Sequence, residues 1–263
     1  MNEILCDTRV RSVEWKDLTH LSSAEIGREL MLSLPWLLAS LWLARGRLYF
    51  LALPASFMFF LAGLRQVHNA YHYALGLGRR GSDWVMFALS ALMLGSMHAV
   101  QINHLAHHRH CLTEDDVEGA SARMPAWKAI LSGPLFPVRL HRNAWRKARG
   151  ASFRWIVAEL MGTAVLTITA IAMPVAWLRY HVLAMAAGQC LASFFAVWTV
   201  HHDCERPGPF ARTLRGFFKN GLTYNMFFHV EHHLFPAVPT CHLPQLAERL
   251  DRAAPDLTRL RVF

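Results

Sequence analysis

The histidines of this chain stand in patterns that suit metal binding. His68 and His72 form an H-x-x-x-H pair. His104, His107 and His108 form an H-x-x-H-H cluster, which His229, His232 and His233 repeat, and His201 and His202 stand just ahead of that repeat. These ten come from sixteen histidines in all, and each window lies at or near the end of a long apolar stretch. Imidazole is a ligand for iron, copper, nickel and zinc. One zinc takes about four ligands, so eight or more imidazoles point to two metal ions.

The spacing suits that chemistry. Residues four apart on a helix share a face, so His68 and His72 can address one metal. In H-x-x-H-H the first histidine faces both later ones. The later two are neighbours and diverge by about 100°, which lets one cluster serve both metals of a pair without any carboxylate. Asp115, Asp116, Glu118 and Glu231 are acids near the clusters, able to hold the distal N–H of a ligand; Glu118 reads instead as a solvated loop acid. His20, His98, His141, His181 and His242 read as packing or interfacial residues, with His98→Ala expected to be nearly silent. His110 reads as a partner that orients a ligand. Either His201 or His202 could reach the site, the other resting on Asp203 or a neighbouring ligand.

Those side chains need elements to hold them. Hydrophobic residues make up 54% of the 263 and charged residues only 17%, against roughly 25% charged in a soluble domain. The charge of +9 is gathered in loops, so membrane topology explains it better than nucleic acid does. Four stretches are candidates to cross a bilayer: Leu30 to Ala44, Leu48 to Leu64, Trp155 to Met173 and Tyr180 to Val200. Tight connections make them two helical hairpins. A fifth, Trp84 to Val100, must lie in the interface or re-enter, because crossing would strand His68 and His104 on opposite faces. The stretch from Gln101 to Arg154 carries nine Lys or Arg residues, which places both termini and every cluster on the cytoplasmic side, in what we expect to be a bacterial inner membrane. Five scattered cysteines fit a reducing compartment.

These motifs resemble those of the membrane-bound fatty acid desaturase and hydroxylase superfamily, the three-histidine-box di-iron proteins. The resemblance covers about Leu48 to Leu250. The string His229-Val-Glu-His-His-Leu-Phe-Pro236 is its most specific piece, and His201 or His202 falls where members of that family contribute an extra ligand. The resemblance implies an all-α integral membrane fold of about four transmembrane helices, with an interfacial or re-entrant helix. It sets one membrane-embedded domain over 1–263, with a cytoplasmic N-terminal segment at 1–28 and a C-terminal cap at 201–263. It implies two iron ions on these ten histidines, dioxygen as co-substrate, and hydrogen abstraction from an unactivated C–H bond of a membrane lipid or acyl chain. Loss of a second hydrogen gives an alkene; oxygen rebound gives an alcohol, as in a hydroxylase or ketolase. No electron-carrying domain is fused, so a separate ferredoxin or cytochrome with its reductase is implied. The basic stretch Arg139, Arg142, Arg146, Lys147 and Arg149 could dock such a carrier or face the membrane. A non-catalytic metal carrier is the reading from a different class; the nearly bare apolar helices and edge-clustered histidines argue against it.

Overall fold

The ends of the helices are written in their own residues. The computed structural model describes residues 3–205, 208–256 and 259–262. Ser22 and Glu25 start α1 (Ser23–Met31) as a reciprocal capping box: the Ser22 oxygen accepts from the Glu25 N–H, and the Glu25 carboxylate accepts from the Ser22 N–H. Pro35 lies in the first turn of α2 (Leu34–Arg45), where a missing N–H breaks no helical bond. A tight turn with Arg47 at φ 61° leads into α3 (Tyr49–Tyr71). Next come α4 (Arg79–Met93) and α5 (Met97–His110), then α6 (Leu135–Lys147) and α7 (Gly150–Ala172). α8 (Ala176–Ala192) runs on through a π-helical turn, Ser193–Trp198, and a last turn ending at His201.

Three of these helices are long and apolar enough to cross a membrane: α3 and α7 at 23 residues each, and Ala176–His201 at 26. Twenty-three residues at 1.5 Å rise reach about 35 Å, against a hydrocarbon core of about 30 Å. The protein is thus an all-α integral membrane protein with three such helices, and a fourth if α4 and α5 count as one bent span. Leu30 to Ala44 does not supply one, which corrects the expectation. α2 has only 12 residues, about 18 Å of helix. The stretch is interrupted at Ser33, whose hydroxyl donates to Gln66 Oε1 (2.7 Å), while Gln66 Nε2 donates to the Leu30 carbonyl (2.9 Å). Those bonds tie the entry of α2 to α3 two residues before His68. Deeper in the bundle, hydroxyls join three helices: Ser40 to Ser56 at 2.7 Å, and Ser56 to Tyr180 at 2.9 Å.

The stretch from Trp84 to Val100 is sharply bent, the form of a broken span or of a re-entrant loop. α4 and α5 meet at 112°, the chain bending at Leu94 (φ 59°) and Gly95. Ser96 caps α5, accepting from the Ala99 N–H (3.1 Å) and donating to Glu159 Oε2 (2.5 Å). Glu159, on α7, is fully buried and also receives the His98 N–H (3.1 Å). His98 stands between two acids, its Nδ1 2.6 Å from Glu159 and its Nε2 3.3 Å from Asp83, with its ring stacked on Trp155. His98 is therefore a packing residue, as expected, but one in the joint that sets where α5 begins, so its loss is expected to cost stability.

The N- and C-terminal segments fold together. Val10 and Leu18 pack against Leu243, Leu246 and Leu250 of α10 (Leu243–Ala253), with Phe228, Val230 and Phe235 around α9 (His229–Leu234). A two-residue parallel pairing, β1 (Arg212–Thr213) with β2 (Leu260–Arg261), closes this cap.

Candidate metal centre

Four elements deliver imidazoles to one place. The end of α3 brings His68 and His72, α5 brings His104, His107 and His108, the extension of α8 brings His201, and α9 brings His229, His232 and His233. One ligand atom from each of His68, His72, His104, His108 and His232 lies within 4.8 Å of the others, and the same holds for His107, His201, His229 and His233. The two groups abut: the rings of His108 and His233 are 4.2 Å apart, and those of His68 and His229 6.2 Å. The adjacent pairs His107–His108 and His232–His233 are divided between the groups, as the 100° divergence of neighbours on a helix requires.

The hydrogen bonds behind the rings fix their tautomers. His104 Nδ1 meets Glu118 Oε1 (2.9 Å), His107 Nδ1 meets Asp116 Oδ2 (2.7 Å), and His201 Nδ1 meets the Phe210 carbonyl (2.8 Å). Each acceptor draws the ring proton to Nδ1 and leaves a lone pair on Nε2. Yet His107 Nε2 and His201 Nε2 face one another at 3.0 Å, and His201 Nε2 faces His229 Nε2 at 3.0 Å. Facing lone pairs repel unless a cation lies among them. A proton bridges one pair; four converging nitrogens call for an ion that bonds to all. His68 adds a second sign, because its Nδ1 is buried with no hydrogen-bond partner among the described residues.

Nε2 atoms of paired rings are 3.0 to 3.2 Å apart, within reach of a shared ion at a metal–nitrogen bond of about 2.1 Å. Groups of five and four imidazoles fit a pair of metal ions.

Burial and charge favour neutral imidazoles on α9. Desolvation first, and then the neighbouring imidazoles, push His229, His232 and His233 well below the ordinary imidazole value. Burial works to raise the Asp116 carboxyl, but the hydrogen bond from His107, with those from Gly119 and Leu112, holds it below its usual range. Asp116 and Glu118 are both buried. Glu118 is thus no solvated acid, and its reading is corrected: it faces His104, and the turn after it, Gly119 to Arg123, packs on the π-helical turn, where the Ser121 hydroxyl donates to the Ser193 carbonyl (3.3 Å). Glu231 is buried but bonds Thr213 (2.6 Å) and Arg215 (2.7 Å), anchoring α9 to β1 rather than holding a ring. Asp115 is exposed, and so is His110, which orients no ligand.

The structure separates His201 from His202. His202 stacks on Trp198 (4.0 Å), its Nδ1 bonds the Trp198 carbonyl (2.8 Å), and its Nε2 is 4.0 Å from Asp203. It belongs to neither group, which corrects its place among the ten. Cys111 stands at the rim, 3.9 Å from His107 Nε2. A buried network the sequence did not reveal braces His68 from both sides. Arg65 pairs with Glu29, Asn69 donates to Glu29 (3.1 Å), and Asn69 Oδ1 accepts from the N–H and hydroxyl of Thr240. Asn69 inside the first histidine pair was the one available signal.

A cavity of about 80 Å³ touches this centre, with His68, His104, His107, His201 and His229 in its wall and Leu64, Val100, Phe195 and Met226 around them. A family model described as "Fatty acid desaturase" matches residues 32–262. A beta-carotene ketolase of Paracoccus sp. (strain N81106 / MBIC 01143) is 27% identical over 198 residues, covering 71% of this chain and 74% of that protein.

Proposed function

The chain belongs to the fatty acid desaturase family, and on that premise we propose that it is a dioxygen-dependent desaturase of acyl lipids, with nine histidines holding two iron ions. His68, His72, His104, His108 and His232 hold one ion, and His107, His201, His229 and His233 the other. The observation that carries this reading is the pair of converging imidazole groups, in which His104, His107 and His201 are tautomer-fixed to present lone pairs. Bound there, iron supplies dioxygen activation and hydrogen abstraction from an unactivated C–H bond. The protein's own residues do the rest. Asp116 and Glu118 orient His107 and His104, the Phe210 carbonyl orients His201, and the apolar cavity wall admits a hydrocarbon while keeping water from the reacting carbon.

In this reading the centre faces the cytoplasm, as the positive-inside rule expects of the basic segment from Gln101 to Arg154, in a bacterial inner membrane. Electrons come from a separate ferredoxin or cytochrome with its reductase, and the substrate comes from the bilayer. A second reading, ketolase or hydroxylase chemistry, is favoured by the likeness to a beta-carotene ketolase. Expression in a host of defined lipids and pigments, under isotopically labelled dioxygen, separates the two by mass spectrometry. New double bonds without label support desaturation. Labelled hydroxyl or keto products support the second reading and overturn the first. An unchanged lipid and pigment profile, from iron-loaded protein with reductant supplied, overturns both.

A further inference from the structure

The cavity beside the imidazoles has a second polar region. Its wall includes Gly95, His141 and Gln189 in addition to the histidines of the centre. The Gln189 and His141 side chains lie near Gly95, which comes just before α5 begins, whereas His104 and His107 stand in the second half of that helix. Between them the lining is hydrocarbon, including Val100, Leu140, Ala192 and Phe195.

Hydrogen bonding at that end is closed except at one atom. His141 Nδ1–H donates to the Pro137 carbonyl (2.7 Å), and its Nε2 accepts the Ser96 N–H (2.9 Å). Gln189 Nε2 donates to the Met93 carbonyl (2.7 Å), one of the last carbonyls of α4, which the helix itself leaves unpaired. That bond fixes which end of the amide is nitrogen. The Gln189 side-chain oxygen accepts nothing from any described residue. An acceptor left dry in an apolar cavity is unfavourable, and a substrate that ends in bare hydrocarbon would leave it so. A substrate bearing an O–H donor would not.

We propose that Gln189 determines specificity, its side-chain oxygen accepting a hydrogen bond from a hydroxyl carried by the lipid substrate at a position remote from the carbon attacked. The proposal rests on reading the cavity as the place where the lipid is oxidised. It narrows the substrate to a hydroxyl-bearing lipid.

The test measures binding, without turnover, on full-length protein in detergent. Radiolabelled 1-hexadecanol is the probe, displaced by unlabelled 1-hexadecanol or by its methyl ether, which keeps the chain and removes the donor. The ether should displace about five- to tenfold less well, the worth of one neutral hydrogen bond. In Gln189→Met the two should compete equally. Gln189→Asn keeps an amide but withdraws it by one methylene, so it should lose the preference too, and it serves should the Met variant fail to fold. Equal displacement by alcohol and ether in the wild type overturns the proposal without any variant, and so does a preference that survives at position 189. Because nothing is turned over, absence of oxidised lipid with the alcohol preference intact would count against the oxidation reading alone.

Discussion

Asp116→Asn is the substitution that most cleanly separates shape from proton placement. Asp116 Oδ2 accepts from His107 Nδ1 (2.7 Å) and the Leu112 N–H (2.9 Å), while Oδ1 accepts from the Gly119 N–H (2.8 Å). Asparagine fills the same space, but one of its two ends is an NH2. Turned either way, it sets that NH2 against a buried N–H. Facing His107, it drives the ring proton to Nε2, the atom that meets His201 at 3.0 Å, and one ligand is lost. Facing Gly119, it strands a backbone donor. A buried donor without a partner costs about 1–3 kcal/mol. Losing the carboxylate behind a metal-binding histidine weakens metal affinity about 10–100-fold, a compatible range. The assay is iron retained against graded chelator, read by elemental analysis, with circular dichroism to confirm an intact helical fold. Wild-type retention at every chelator concentration would refute the tautomer argument.

His98→Ala should destabilise the protein, because it leaves Glu159 buried without its imidazole partner. A buried polar group that loses its hydrogen-bond partner costs about 1–3 kcal/mol, which a thermal melt in detergent will show, and an unchanged melt would contradict the joint described at Ser96. His201→Ala should abolish activity and release metal, whereas His202→Ala should keep wild-type metal content; equal losses would undo the distinction between them. Retention of metal should also follow pH with a definite sign. Burial depresses His229, His232 and His233, so the stability they lend is full above their unfolded value near 6.5 and is lost as pH falls through their lower folded values. Metal should stay bound through about pH 6 and leave only in more acid solution; half-loss at 6.5 would contradict the depressed values.

Periodicity and spacing made the outline legible. The H-x-x-H-H clusters declared their convergence because adjacent helical residues diverge, and the need for His68 to meet His104 implied the bend at Leu94 and Gly95. What stayed hidden was set by tertiary contact. The choice between His201 and His202 depends on the π-helical turn at Ser193–Trp198, whose extra residue rotates everything after it by about 100°. Glu118 looked like its exposed neighbours Glu114 and Asp115; its bond to His104 exists only once the chain has folded back. Leu30 to Ala44 looked like a span because its apolar run conceals Ser33, whose bond to Gln66 matters only once α3 is beside it. His98 carried no mark in sequence that Glu159, sixty-one residues away, would bind it.

The central claim is that nine imidazoles from four elements enclose two iron ions. Anomalous scattering at the iron edge from crystals of iron-loaded protein addresses it directly. Two peaks are expected, one ringed by His68, His72, His104, His108 and His232, the other by His107, His201, His229 and His233. A single peak, or density bound away from these rings, would contradict it.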